Sequence, residues 1–419
     1  MRASYPTYKS TSIPWLPEMP EHWELRRNKY LLKEINKRSL RGEEDLLSVS
    51  QYTGVTLKKD RLENDGDLLT TASTLEGYKV VRKDDLVINI MLAWNGSLGV
   101  SAYDGIASPA YCVYRFDRNI NPKYYHYLFR TDFMKLYFRS VSSGVIESRL
   151  RMYTDDFYRL YSFLPPLPEQ TAIANYLDAK SEQINRFIAK KEKLIALLKE
   201  QKQAVINELL EDKEGKWERR KMKFLAKVFF SNVDKHSIEE EIPVLLCNYT
   251  DVYKNEFIGS SFDFMQATAT IAEIKKFAVK KGDVLVTKDS ETADDIANPA
   301  FVVEQIDNLV CGYHLAQIRT GSQLLGEFLF RVLQSKAYNK HFEVHANGVT
   351  RVGLSISAFT DFMVPLPSIN EQENIIFKIR TEYNRIDNAI NRIEKEIEKV
   401  KELKQSLIAE VVTGRIKVA

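Results

Sequence analysis

The chain is poor in cysteine. Cys112, Cys247 and Cys311 are the only three in 419 residues. They share no metal-ligand spacing, and their scarcity points to a reducing compartment. No apolar run approaches the ~18 residues that a membrane-spanning helix needs. The opening residues, "MRASYPTYKSTSIPW", lack the apolar stretch of a secretory signal, so a cytoplasmic location is expected. A Walker A phosphate loop is missing, which argues against an ATP-driven motor. Charge of one sign is missing too: 60 Lys and Arg stand against 57 Asp and Glu, a net +3. Any surface for nucleic acid must therefore be local. Core-forming residues are not scarce. A hydrophobic content of 44% excludes a disordered chain, and the length suits two or three domains.

The most informative feature is a repeat. "PLPEQ" at Pro166–Gln170 returns as "PLPSINEQ" at Pro365–Gln372, and the Glu-Gln pairs are 202 residues apart. At that offset two long amphipathic segments align. In the first, Ile184, Ile188, Ile195, Leu198, Val205 and Leu209 form a stripe, with Lys191 and Lys202 filling its gaps. In the second, Ile386, Ile390, Ile393, Ile397, Val400, Leu407 and Val411 repeat the stripe, with Lys404 in one gap. Apolar residues spaced by threes and fours predict a coiled-coil seam. Ile206 and Ile408 recur beside the stripe and are expected to widen the seam or to form part of a docking face. Upstream the likeness continues more loosely. "HWELRRNKYLL" answers "KWERRKMKFLA", "SQYTGV" answers "CNYTDV", "VVRKDDLVIN" answers "FAVKKGDVLVT", "YLFR" answers "FLFR", and "SGVIESRL" answers "NGVTRVGL".

These patterns predict an α+β fold made of two similar mixed α/β domains and two long helices. The expected boundaries are 1–163 for the first domain, 164–212 for the first helix, 213–364 for the second domain and 365–419 for the second helix and tail. The first helix, from about Glu169 to Glu211, would be ~60 Å long. Only "DKEGK" separates it from Trp217, so the second helix must run back along it as an antiparallel coiled coil. The expected whole is a pseudo-twofold repeat with one domain at each end of a helical spacer. Two heads on a spacer suit a regular polymer such as DNA, whose paired readers engage sites about one turn, ~34–36 Å, apart. Unlike heads imply unlike half-sites.

Four stretches, "YKSTSIPWLPEMPEHWELRRNKYLL", "LPPLPEQTAIANYLD", "PLPSINEQ" and "LIAEVVTGRIKV", resemble the specificity subunit of Type I restriction–modification systems. The resemblance spans essentially the whole chain. It implies two target-recognition domains that bind a bipartite site in double-stranded DNA, and two docked modification subunits that methylate adenine at N6. It also implies restriction subunits as further partners that cleave DNA using ATP, so S-adenosylmethionine, ATP and Mg would be held by the partner subunits and none by this chain. The specificity subunit itself would have no catalytic residue and no metal.

Two rival readings are open. The first is a stand-alone DNA methyltransferase, for which Asn298-Pro299-Ala300-Phe301 and Asn121-Pro122-Lys123-Tyr124 are partial matches to Asn-Pro-Pro-Tyr/Phe. Both lose the second proline, and Asn-Pro is a common turn initiator. The second is a coiled-coil adaptor that binds only proteins. His341 and His345, four apart, lack a third ligand and are expected to be ordinary helix residues. Asp85 and Asp283, each before an apolar strand, suit a recurring turn better than a nuclease site.

Base reading needs side chains such as Arg, Lys, Asn, Gln, Ser or Thr at loop tips. Three places per domain qualify. The first holds Gln51, Tyr52 and Thr53, and in the repeat Asn248, Tyr249 and Thr250. The second holds Asn89 and Asn95 beside Trp94, and in the repeat Thr287 and Lys288. The third is a glycine loop with Ser143, Ser148, Arg149 and Arg151, and in the repeat Asn347, Thr350 and Arg351.

Overall fold

The computed structural model describes residues 4–13, 16–59, 74–146 and 150–418. The chain divides into two compact units, Met1–Lys191 with Lys395–Ala419, and Glu192–Glu394. Each long helix therefore contributes one part to each unit.

In unit 1 the central sheet is antiparallel, in the order Leu32–Glu34, Tyr111–Phe116, Leu86–Asn89, Leu98–Val100. Unit 2 repeats it as Ala226–Phe230, Leu315–Thr320, Val284–Thr287, Pro299–Val302, and adds Phe257–Ile258 at the edge. The central strand is buried on both faces in each unit, which is why it reads as an unbroken apolar run. Its side chains still alternate. Leu86 and Ile88 join the helix-side core with Tyr124, Leu128 and Phe129, while Val87 joins Leu47, Val49 and Val55 of a small hairpin. In unit 2, Val284 and Val286 pack with Phe328 and Val332, and Leu285 packs on the other side with Val244 and Leu246.

Before each central strand an aspartate closes a turn. Asp85 accepts from the Arg82 N–H at 2.9 Å, and Asp283 from the Lys280 N–H at 2.8 Å. Each carboxylate also receives a two-pronged guanidinium from the neighbouring strand. Arg115 contacts Asp85 at 2.8 Å twice, and Arg319 contacts Asp283 at 2.8 and 2.7 Å. These bonds hold both guanidinium pKa values above the ordinary one.

The long helices run Leu167–Leu209 and Ile369–Val412. The first begins two residues earlier than expected because Leu167 and Pro168 fit its first turn, where the missing N–H of proline costs nothing. Beyond its end Asp212 shapes the turn into the next strand, accepting from the Lys216 N–H at 3.0 Å and the Trp217 N–H at 2.8 Å. Gly414, in the left-handed region at φ +75°, ends the second, and a Cβ there would meet Pro20 at 2.5 Å.

The helices pack antiparallel. Within unit 1, Lys191 meets Glu396 at 2.6 Å and Lys404 meets Asn185 at 3.0 Å, so numbers fall on one helix as they rise on the other. Within unit 2, Lys202 meets Asp387 at 3.0 Å and stands 4.5 Å over the Tyr383 ring. Along the first helix, Ile184, Ile188, Ile195, Leu198, Val205 and Leu209 are half-buried. On the second, Ile386, Ile390, Ile393, Ile397 and Val411 are buried, and Val400 and Leu407 half-buried. Ile206 and Ile408 are not part of a docking face. Each is buried in the core of the unit its helix segment packs on.

The doubled junction has a physical reason. Gln170 and Gln372 are fully buried. The Gln170 side chain accepts from the Asn121 N–H at 2.9 Å and donates to the Pro165 carbonyl at 2.7 Å. Gln372 accepts from the Leu325 N–H at 2.9 Å and donates to the Gln323 and Pro367 carbonyls, both at 3.0 Å. Asn121 and Leu325 are the N-caps of corresponding domain helices, Pro122–Phe129 and Gly326–Gln334. One amide thus ties each long helix to its unit. Among the described residues, no helix is long and apolar enough to cross a membrane.

Candidate nucleic-acid interface

In unit 1 the loop after Leu47–Ser50 carries Gln51, Tyr52 and Thr53. Tyr52 is 82% exposed, Thr53 is exposed and Gln51 half-buried. The loop is held from below by Arg130 at the end of the helix Pro122–Phe129. Its guanidinium donates to the carbonyls of Leu98 at 2.6 Å, Gln51 at 3.0 Å and Tyr52 at 2.8 Å. Gly54 follows at φ +76° and turns the chain into Gly54–Leu57. Asn95 is exposed at the end of the single turn Ala93–Asn95. Gln51, Tyr52, Thr53 and Asn95 line one cleft of about 850 Å³, with His126, Arg130 and Lys135 on one side and Asn185, Lys401 and Lys404 on the other. Burial, with Arg130 adding repulsion, pushes the His126 imidazole down to about 4. Its Nδ1 accepts from the Val100 N–H at 3.2 Å.

Asn89 is not a base reader. It is 5% exposed and its Oδ1 accepts from the Met91 N–H at 3.1 Å, so it shapes the turn. Trp94 is half-buried, with Arg139 5.7 Å from its ring. Ser143 and Arg151 exchange backbone hydrogen bonds at 3.0 and 2.9 Å and close the glycine loop, their side chains exposed. Ser148 and Arg149 lie outside the described residues.

Unit 2 builds the first place differently. Asn248 caps a short helix, Tyr249–Tyr253, and its own N–H donates to Asp251 at 2.7 Å. Tyr249 is half-buried and stacks on Tyr253 with centroids 5.4 Å apart, and Thr250 is exposed. At the second place the expectation fails. Thr287 is fully buried and accepts from the Asn298 N–H at 2.9 Å. Lys288 lies between the rings of Phe230 and Tyr313, at 5.5 and 4.7 Å, and pairs with Asp289 at 3.4 Å. At the third, Asn347 exchanges backbone bonds with Gly353, and Thr350 and Arg351 are exposed. Asp289–Ser290 pairs with Val352–Gly353, which brings the second and third places together. Burial raises the Tyr249 phenol pKa, and its side-chain hydrogen bond to Ser290, on the strand paired with Val352–Gly353, sets the first place beside the other two.

The residues of the rival readings have structural roles. Asn121 Oδ1 accepts from the N–H groups of Lys123 and Tyr124, and Asn298 donates to Asp295 at 3.0 Å. His341 faces the Ala358 carbonyl at 2.9 Å, and His345 the His341 carbonyl at 2.7 Å. Among the described residues, no group of three or more His, Cys, Asp and Glu is placed to hold a metal ion. Sequence reasoning missed Arg130, Lys135, Asn185 and Lys401, and placed Lys404 on the helix seam without linking it to the loops. The recurrence of "YLFR" as "FLFR" was the one signal for Arg130.

Residues 216–399 match a family model described as Type I restriction modification DNA specificity domain. Over 432 residues the chain is 21% identical to the Type I restriction enzyme MjaVIII specificity subunit of Methanocaldococcus jannaschii, covering 96% of this chain and 94% of that one. In fold it is similar to a chain from a type I R-M system solved for its complex assembly and conformational transition. The TM-score is 0.71 at 14% identity, over 94% of this chain and 99% of that one. It is also similar to the HsdS subunit of Thermoanaerobacter tengcongensis, with a TM-score of 0.53 at 15% identity, over 94% and 98%. The family match falls on unit 2 and its helix, and unit 1 repeats the order of four strands of its central sheet. Residues 216–399 thus match the DNA specificity domain of Type I restriction–modification systems, and over nearly its whole length the chain is similar to specificity subunits of those systems.

Proposed function

We propose that this chain reads an asymmetric, two-part sequence in double-stranded DNA, one part per unit, within the cytoplasm. It docks two modification subunits that methylate adenine at N6, and restriction subunits join that assembly. The carrying observation is that one scaffold, with the same sheet order, presents different chemistry at its first loop. Unit 1 offers an open Gln51-Tyr52-Thr53 turn, and unit 2 a capped helix with stacked Tyr249 and Tyr253. Like scaffolds with unlike loops suit two unlike half-sites. Docking is supported by apolar side chains left exposed on the long helices, among them Phe187, Leu194, Leu197 and Leu403. In this reading S-adenosylmethionine, ATP and Mg belong to the partner subunits; the capping and turn bonds of the Asn121 and Asn298 side chains support this for methyl transfer alone.

The test is a methylome. The gene is expressed in a host lacking DNA methylation, alone and with the modification subunit of its own locus, and N6-methyladenine is mapped. A split motif that requires both genes is expected. Methylation by this chain alone would make it the enzyme. Failure of the assembled complex to prefer any DNA sequence would favour the protein-only adaptor.

A further inference from the structure

The two units have corresponding clefts between domain and long helices, and their charges differ. At the offset of 202, Lys401, Lys404 and Asn185 of unit 1 correspond to Lys199, Lys202 and Asp387 of unit 2. Among the described residues, the unit 1 cleft is lined by four cations, Arg130, Lys135, Lys401 and Lys404, and by no carboxylate. The unit 2 cleft, about 670 Å³, is also lined by four cations, but Glu256, Asp294 and Glu343 line it as well.

Pairing widens the difference. Lys202 is neutralised by Asp387 at 3.0 Å and Glu256 at 3.4 Å. Among the described residues, Lys404 has only the neutral Asn185 amide as its partner, at 3.0 Å, and burial lowers its ammonium pKa. Arg331, the counterpart of Arg130, lies 3.7 Å from Glu256 and 4.0 Å from Glu327. Arg130 instead meets backbone carbonyls, and among the described residues its charge has no carboxylate partner. Lys135 does contact Asp132, at 2.9 Å, but that carboxylate is 76% exposed and outside the lining.

We propose that the unit 1 cleft grips the phosphate backbone of duplex DNA beside the bases read by its rim, and that the unit 2 cleft makes no equivalent grip. This rests on the reading of the chain as a DNA-recognition subunit. Gln51, Tyr52, Thr53 and Asn95 share the cleft with the cations, so backbone positioning and base reading sit side by side. The phosphate contacts, and with them the salt dependence, then concentrate on one half of the target.

The experiment uses the chain assembled with its modification subunits and a duplex carrying the mapped target. Binding is measured between 50 and 200 mM salt for wild type, Lys401→Gln, Lys401→Gln with Lys404→Gln, and Lys199→Gln. Each lost phosphate contact flattens the slope of log affinity on log salt by ~0.9. Over a fourfold salt range that is a loss of affinity smaller by a factor of about 3.5 for Lys401→Gln and about 12 for the double variant. Lys199→Gln is expected to keep the wild-type slope. An unchanged slope in the Lys401 variants overturns the proposal while leaving DNA recognition standing, and so does equal flattening by Lys199→Gln. No binding of the target by the wild-type complex overturns the DNA reading itself. Lys401 is exposed, so its single variant decides the matter where the double variant fails to assemble.

Discussion

Replacing Gln372 by Leu tests what holds the second long helix to its unit. The two side chains are of similar size, so the change removes polarity more than volume. It leaves the Leu325 N–H without its 2.9 Å acceptor and the Gln323 and Pro367 carbonyls without their 3.0 Å donor. A buried polar group that loses its partner costs ~1–3 kcal/mol. The carbonyls have a second lone pair and relax more easily than the N–H, so the expected loss is about 2–4 kcal/mol. Amide hydrogen exchange reads it locally. The Leu325 amide should exchange about 30- to 1000-fold faster, since each ~1.4 kcal/mol is a factor of ten. The Asn121 amide should keep its protection in that variant and lose it in Gln170→Leu, which removes the corresponding 2.9 Å bond in unit 1. An unchanged Leu325 amide, with stability within about 0.5 kcal/mol of wild type, would refute the clamp.

Three further outcomes are expected. Arg130→Lys cannot reproduce a guanidinium shared among three carbonyls, so residues 51–53 should exchange faster and discrimination at one half-site should fall about tenfold, the other half-site unaffected; equal loss at both would count against it. His126 is held neutral in the fold, at about 4 against about 6.5 unfolded, so its contribution is complete above pH 6.5 and lost as pH falls towards 4, about 2 kcal/mol of it by pH 5. Urea unfolding of wild type and His126→Asn at pH 7 and 5 should differ by that amount, and parallel profiles would exclude it. Asp283→Asn should destabilise unit 2 by about 3 kcal/mol, and Asp85→Asn should cost unit 1 less, because Asp85 lacks the extra 2.7 Å bond that Gln317 gives Asp283; thermal unfolding that ranks them oppositely would reject the comparison.

The repeat and the long helices were legible because both rest on periodicity. A stripe of Ile, Leu and Val at threes and fours is a statement about one helix face, and the structure buries that face. The double junction was visible as a motif, but its reason was not. Nothing in "PLPEQ" tells that Gln170 reaches the N-cap of a helix that begins almost fifty residues earlier. The reading loops were legible in position only. Asn89 and Thr287 stand at the end of a strand, where one more step of the chain decides between solvent and core. In unit 1 the following turn takes the Asn89 oxygen, and in unit 2 Asn298, just before the neighbouring strand, takes the Thr287 hydroxyl. The cleft of unit 1 was illegible because its lining comes from five separated segments, and the stripe that placed Lys404 on the seam did not show which loops it would face.

The same limit bears on how the helices find their register. A stripe of near-identical isoleucines fits its partner almost as well after a slip of one heptad, so apolar packing alone leaves competing alignments. The polar seam residues remove that degeneracy. Lys191 meets Glu396 and Lys404 meets Asn185 in unit 1, and in unit 2 Lys202 meets Asp387 over the Tyr383 ring. A slip of seven residues would set Lys202 against Glu394 or Arg380 rather than Asp387, and would move it off Tyr383. The lysines that interrupt the stripe weaken it locally, and in return a single alignment is selected. Because the helix segment that ends in each unit also carries a residue buried in that unit's core, Ile408 or Ile206, the register chosen at the seam and the docking of helix on domain must agree. That agreement is what the repeat preserves most closely, while the loops that face outward are free to differ.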